Sequence, residues 1–144
     1  MEQGTRNKER GALLPEPTSL SRPFWDGLRQ HKLVMQACLR CGDLRWTPTE
    51  FCLQCQAPKY EWRELSGRGM LLTYTVVHRG APEPLKRLMP YVVAVIELKE
   101  GPKILTNLVQ FQPEDLRVGL PVQIVYDVVN EEVTVPKFRP AASP

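Results

Sequence analysis

Long apolar stretches are missing from this chain of 144 residues, and none approaches the roughly 18 residues that a membrane-spanning helix needs. Histidine is scarce, with two residues, and the motifs G-x-S-x-G and H-E-x-x-H of serine hydrolases and zinc proteases do not occur. Residues 1–10 are polar and charged with no long apolar stretch behind them, which argues against a secretory signal. We therefore expect a cytoplasmic protein that enters no membrane and is not an enzyme.

Net charge is also small, at +3, and the composition is that of a globular protein, with 42% hydrophobic and 24% charged residues. The charge is unevenly distributed, because residues 29–87 carry ten Lys or Arg against five Asp or Glu. Residues 88–144 carry five against seven. A basic front half suits the phosphates of a nucleic acid or of a nucleotide cofactor, and it is equally compatible with an ordinary solvated surface.

The four cysteines are the only ones in the chain, and they form two C-x-x-C pairs with ten residues between them. Each pair can direct two thiolates at one ion, and four thiolates make a closed tetrahedral site of the structural kind. Gly42 follows the first pair and permits the tight backbone of a zinc knuckle. The spacing predicts one structural Zn²⁺ bound by Cys38, Cys41, Cys52 and Cys55.

Other uses of these cysteines fit less well. Iron in a rubredoxin-like site uses the same four sulfurs, so the identity of the metal stays open. Two disulfides would need an oxidising compartment, and a thioredoxin-type redox site would use a single pair at the start of a helix.

The pattern along the chain predicts a mostly β protein. Residues 1–18 have no periodicity and are predicted to be a mobile arm, and a short helix should run from Ser19 or Ser21 through Gln30. The helix and the rubredoxin-like zinc ribbon are predicted within residues 19–66, and a five-stranded OB-fold barrel within residues 67–140. The predicted ribbon strands are 32–37, 44–46 and 60–65, and the predicted barrel strands are 70–79, 91–98, 103–110, 122–129 and 132–138.

Two groups of residues are candidates for binding. His78, Arg79, Lys86 and Arg87 lie in or beside the long loop between the first two barrel strands, where basic groups suit the phosphates of a nucleotide or coenzyme A. A row of aromatics for stacking bases is missing from the strands, which argues against nucleic acid. Phe24 and Trp25 lie on a helix with little core of its own, so we expect them to be exposed and to dock a partner.

The order of motifs resembles a known family. The motifs are Phe24-Trp25, Cys38-x-x-Cys41-Gly42, Cys52-x-x-Cys55, Gly67-x-Gly69, Thr73-x-Thr75-Val-Val-His78, Pro90-Tyr91-Val-Val-Ala-Val and Val118-Gly119. Over residues 19–140 the chain is similar to the zinc-ribbon OB-fold proteins that carry domain of unknown function 35, the acyl-CoA-associated kind. Leu53 departs from the common pattern, in which proline is frequent at this position, and all four ligands are kept.

The resemblance implies a non-catalytic accessory subunit, or scaffold, of an acyl-CoA-processing complex. Its partner would be a thiolase-like subunit, a lipid-transfer-protein-like aldolase or a hydratase, and the two would form a hetero-oligomer. Contact between this chain and the acyl-CoA is part of the same expectation. The alternative is a nucleic-acid-binding module built from the same ribbon and barrel.

Overall fold

The computed structural model describes residues 14–83 and 85–142, so most of the predicted mobile arm lies outside the described residues. The described residues form one α-helix, a three-stranded sheet and a five-stranded barrel. The elements are α1 (Arg22–Arg29), β1 (Leu33–Cys38), β2 (Leu44–Arg45), β3 (Tyr60–Leu65), β4 (Arg68–Val77), β5 (Tyr91–Leu98), β6 (Lys103–Leu108), β7 (Pro121–Val128) and β8 (Thr134–Pro140), with short 3₁₀ turns at Leu85–Leu88 and Pro113–Asp115.

Helix α1 is eight residues long, and the residues at both of its ends account for its limits. Pro23 lies in the first turn, where its missing N–H costs no hydrogen bond. The helix ends at Arg29, and His31 then takes a positive φ of 58° that turns the chain into β1. Phe24 and Leu28, four residues apart, form the buried face of the helix.

The ribbon sheet places β1 in the middle, between β2 and β3, with both pairings antiparallel. Cys38 ends β1 opposite Tyr60, the first residue of β3. The first knuckle therefore leaves the end of the central strand, and the second knuckle lies in the segment that leads back to β3.

The barrel closes in the order β4-β5-β6-β8-β7, with β7 pairing back onto β4. All pairings are antiparallel except that of β6 with β8, which is parallel. This is the order of an OB-fold, and the predicted fold class is confirmed. Strand β4 lies very close to β5 at Gly69, which pairs with Leu98, and a Cβ at this position would collide with the carbonyl oxygen of Glu97.

One continuous core joins the two parts of the chain. Phe24 and Leu28 from the helix pack with Leu33 and Met35 of β1, and the same cluster extends to Phe138 inside the barrel. The boundary predicted between residues 66 and 67 stays a prediction. Among the described residues, no helix is long and apolar enough to cross a membrane.

The prediction that Phe24 is exposed is wrong. Its side chain is 0% exposed, and its ring lies 4.1 Å from that of Trp46. Trp25 is half-buried beside it, with the two rings 5.1 Å apart in an edge-to-face arrangement. The short helix does have a core to bury against, because the ribbon and the barrel together supply one.

Candidate metal centre and barrel cleft

The two knuckles bring the four cysteine sulfurs together. The Sγ atoms of Cys38 and Cys55 are 3.6 Å apart, as are those of Cys41 and Cys52, and all four lie within 4.8 Å of one another. A tetrahedral zinc site with Zn–S bonds of about 2.3 Å has sulfurs about 3.8 Å apart. The four thiols are free of disulfides and their spacing fits this geometry, so they are the residues that would hold the structural zinc.

Backbone N–H groups in the knuckles prepare two of the sulfurs for this role. The N–H groups of Cys41 and Arg40 donate to the Cys38 sulfur over 3.5 and 3.4 Å. The hydrogen bond from Cys41, with that from Arg40, lowers the pKa of Cys38 to about 6. The backbone N–H of Cys55 likewise lowers the pKa of Cys52. Both cysteines are thereby biased toward the thiolate that a metal requires.

Cys41 behaves in the opposite way. The N–H of Asp43 lowers the pKa of Cys41, but burial and the three neighbouring thiols outweigh it and raise the pKa to about 12. Four sulfurs this close cannot all become negative unless a cation lies among them, because like charges disfavour ionisation. The cluster is therefore a donor set that calls for a divalent cation.

The buried side chains of Gln36 and Arg45 hold the loop between β2 and the second knuckle in place. Nε of Arg45 donates to Oε1 of Gln36 over 2.9 Å, and the backbone N–H of Thr49 donates to the same oxygen over 2.8 Å. The Arg45 guanidinium also lies 5.0 Å from the centre of the Tyr60 ring. These contacts fix the loop that carries Cys52 toward Cys38.

The barrel carries a second feature, a cleft of about 600 Å³ on its outer side. It lies between the 3₁₀ turn Leu85–Leu88 and the paired strands β5 and β6. Its apolar lining includes Leu88 and Leu105, which are 50% and 69% exposed, together with Tyr91, Val93 and Phe111. This cleft is large enough to hold a ligand or a segment of a partner.

None of the predicted ligand-binding residues lines the cleft. His78 and Arg79 follow the end of β4 and are exposed. Lys86 and Arg87 are exposed on the turn whose two leucines line the cleft, and Nζ of Lys86 lies 3.1 Å from a carboxylate oxygen of Glu83. The loop thus has an apolar side toward the cleft and a basic side toward solvent. The ligand-binding role of these residues stays a prediction.

The cleft itself was missed at the level of sequence, although one signal for it was present. The run from Tyr91 to Ile96 has no polar residue, so β5 offers apolar side chains to both faces of the sheet. In a strand with one solvated face the outward positions are normally polar. Such a run indicates that the outward face of the strand is partly covered by another segment of the chain or by a bound molecule.

The four-sulfur ribbon and the five-stranded barrel define a class, the zinc-ribbon OB-fold proteins. Two domain profiles match the chain, "ChsH2, rubredoxin-like zinc ribbon domain" over residues 25–61 and "ChsH2, C-terminal OB-fold domain" over residues 62–127. The chain belongs to the DUF35 family of zinc-ribbon OB-fold proteins, in agreement with the resemblance in its motifs. Its metal is accordingly the structural zinc of that ribbon.

Relatives in this family carry two kinds of name. The chain is 37% identical over 101 residues to a "DUF35 domain-containing scaffold protein" of Methanocaldococcus jannaschii, covering 69% of this chain and 71% of that protein. It is 38% identical over 132 residues to a "Probable enoyl-CoA hydratase alpha subunit" of Thermomonospora curvata, covering 90% of this chain. The chain spans 41% of the length of that hydratase subunit and therefore corresponds to one part of it.

A solved structure is also similar over nearly its whole length. A chain of the "Ltp2-ChsH2(DUF35) aldolase" superposes with a TM-score of 0.80 at 35% sequence identity. The superposition covers 89% of the present chain and 99% of that one.

Proposed function

We propose that this protein is a non-catalytic accessory subunit, or scaffold, of an acyl-CoA-processing complex in the cytoplasm. Its partner is a thiolase-like subunit, a lipid-transfer-protein-like aldolase or a hydratase, and the two form a hetero-oligomer. The observation that carries the proposal is the similarity to a chain of the Ltp2-ChsH2(DUF35) aldolase over 99% of that chain's length. Reduced thiols committed to a metal suit the cytoplasm better than an oxidising compartment.

The described side chains favour a scaffold over a catalyst. The four thiols form a closed donor set, which leaves no open metal position for a substrate. His31 stacks on the ring of Tyr126 at 4.7 Å, and His78 is exposed beyond β4, so neither histidine belongs to the thiol cluster. A Cys–His pair of the kind that activates a nucleophile is thus lacking among the described residues.

Contact with acyl-CoA belongs to the same proposal. The exposed side of the β4–β5 loop, with His78, Arg79, Lys86 and Arg87, is the place where phosphates of coenzyme A would meet positive charge. The ion pair of Lys86 with Glu83 is exposed at both ends, and exposed pairs are weak enough to exchange for a phosphate. The partner subunit would supply the reacting groups.

Co-expression with a neighbouring thiolase-like, aldolase or hydratase reading frame tests the proposal. We expect the two proteins to co-elute in size-exclusion chromatography, and we expect acyl-CoA turnover by the complex but not by this chain alone. Turnover by the purified chain alone would contradict its role as an accessory subunit. Tight binding of single-stranded DNA or RNA at physiological salt, with no co-eluting enzyme, would favour a nucleic-acid-binding module instead.

A further inference from the structure

The four cysteines of the metal centre differ in how far solvent reaches them. Cys41 is exposed and Cys55 is half-buried. Cys38 and Cys52 are only 3% and 0% exposed. Gly42, which follows Cys41, lies in open space, since a Cβ built on it would have no neighbour within 4 Å among the described residues. A molecule in solution can therefore approach the centre from the side of Cys41.

A second thiol lies within reach of Cys41. Its Sγ is 3.6 Å from that of Cys52 on the other knuckle. A disulfide bond is about 2.05 Å long, so the two sulfurs need to approach by only about 1.5 Å to form one. An exposed thiol beside a buried thiol that can capture its oxidised form is the arrangement of a redox-sensitive cysteine pair.

Metal binding keeps Cys41 in its reactive form. A thiol binds zinc only after losing its proton, so the sulfurs that would hold the metal are thiolates. The thiolate is also the form that reacts with peroxides and other electrophiles. Burial shields Cys38 and Cys52 from such reagents, which leaves Cys41 as the ligand most open to attack.

We propose that Cys41 is a redox-sensitive site of the zinc centre, at which a hydroperoxide opens the ribbon through a Cys41–Cys52 disulfide. The Cys41 thiolate attacks one peroxide oxygen, so that an S–O bond forms, the O–O bond breaks and the other oxygen leaves as hydroxide or alkoxide. The Cys52 thiolate then attacks the resulting sulfenic acid, so that an S–S bond forms and hydroxide leaves. The two sulfurs are oxidised, the peroxide is reduced, and two of the four zinc ligands are lost.

This redox site goes beyond the proposed function and does not depend on which partner the chain binds. After the reaction the centre keeps Cys38 and Cys55 as its remaining thiols, and its affinity for zinc falls. A disulfide is reduced again by a dithiol, so the metal content of the ribbon responds to peroxide reversibly.

Peptide mapping of the zinc-loaded full chain after treatment with limiting hydrogen peroxide tests the proposal. Trypsin separates the cysteines into three peptides, which are 33–40 with Cys38, 41–45 with Cys41, and 46–59 with Cys52 and Cys55. We expect peptide 41–45 to be linked to peptide 46–59, with fragmentation placing the bond at Cys52. A chromophoric zinc indicator should report metal release in step with this link, and dithiothreitol with added zinc should reverse both.

Two matched variants separate the attack on peroxide from the capture of its product. Cys52→Ser and Cys55→Ser each leave three thiols, and the zinc content of each is measured first. In Cys52→Ser the sulfenic acid of Cys41 should persist, so that dimedone traps at least about fivefold more of it than in Cys55→Ser.

Limited alkylation of the zinc-loaded wild type tests the exposure of Cys41 without any variant. N-ethylmaleimide should label Cys41 at least about fivefold faster than any other cysteine. This measurement and the peptide map decide the question even where a serine variant loses its metal.

Three results would each overturn the proposal. Fastest labelling at Cys38, Cys52 or Cys55 would place the accessible thiolate elsewhere. A disulfide between peptides 33–40 and 41–45 would show capture within the first knuckle instead of across the two knuckles. Met70 is 39% exposed and serves as an internal measure of the oxidant. If Met70 becomes its sulfoxide while all four thiols stay free and zinc stays bound, the centre is inert to peroxide.

Discussion

Phe24 and Trp25 show how much depends on the position of one side chain in a short helix. The two are adjacent in sequence, yet Phe24 is fully buried against Trp46 and Leu28 is buried one turn further on, while Trp25 is half-buried. Neighbouring positions on a helix point about 100° apart, so only one of two adjacent aromatics can face the core fully.

Replacing Phe24 by alanine should therefore destabilise the protein much more than replacing Trp25. A Phe-to-Ala change in a packed core costs roughly 3–5 kcal/mol, because it removes buried surface and leaves a cavity. Trp25→Ala removes a partly exposed ring and should cost clearly less. Urea unfolding followed by circular dichroism measures both, and equal losses would show that Phe24 is not a core residue.

The cysteine pKa values lead to a second prediction at this scale, about pH. The pKa of Cys38 is lowered to about 6, so its thiolate is present above that pH and is lost as the pH falls through it. Cys41, with its pKa raised to about 12, holds its proton at neutral pH and must release it when zinc binds. Zinc affinity should thus rise from pH 5 to pH 9, with proton release on binding.

Competition with a chromophoric chelator at several pH values measures the affinity, and a titration in weak buffer measures the protons. Alkylated protein serves as the control, since it has no thiol left to bind the metal. An affinity that does not change with pH would contradict this account of the cluster.

At the scale of elements, the sequence predicted the positions of the helix and strands well. It predicted poorly which elements pack against one another. β3 and β5 were predicted with the bounds they have in the structure, because the apolar residues in each begin and end sharply at turn residues. β4 begins at Arg68, two residues before its prediction, because close pairing with β5 and β7 extends it through Gly69. The cysteine spacing alone predicted the metal cluster, since its ligands lie in two local turns.

The burial of α1 and the presence of the cleft could not be predicted from the sequence. Both depend on which element packs against which, and periodicity gives the apolar face of an element without naming its neighbour. The sequence predicted a ligand site at the basic, solvent-facing residues of the β4–β5 loop. It did not predict that Leu85 and Leu88 of the same loop line a cleft.

Gly69 gives a prediction for the pairing of β4 with β5. In Gly69→Ala the new methyl group would collide with the backbone carbonyl of Glu97, which cannot move without breaking the pairing. We expect a loss of more than about 2 kcal/mol, as for overpacked sites. Thr75→Ala, at an exposed position of the same strand, should cost less than about 1 kcal/mol. Similar thermal stability of Gly69→Ala and the wild type would show that the two strands lie further apart at this position.

For the whole molecule, the shared core predicts a single unfolding transition. All three tryptophans, Trp25, Trp46 and Trp62, lie in the helix and the ribbon, so tryptophan fluorescence reports on that part alone. The far-ultraviolet circular dichroism of the described residues comes mainly from their eight strands, five of which form the barrel. Because Phe24, Leu28 and Met35 pack in one cluster with Phe138, both probes should change together on heating.

Removing the zinc with a chelator should lower both midpoints by the same amount, since a structural metal contributes free energy of folding to the unit that contains it. Cys38→Ser should behave in the same way. A barrel transition that keeps its wild-type midpoint after the tryptophan signal has been lost would show two independently folded modules.

The junction between ribbon and barrel adds to this rigidity. The carboxylate of Glu100, in the turn between β5 and β6, accepts a hydrogen bond of 2.7 Å from the backbone N–H of Ser66 and one of 3.2 Å from its hydroxyl. A protein that joined its parts by a flexible tether would let two bound partners drift apart and meet again at random. A chain built around one core acts instead as a fixed spacer, so groups bound at its two ends would keep one separation and one relative orientation.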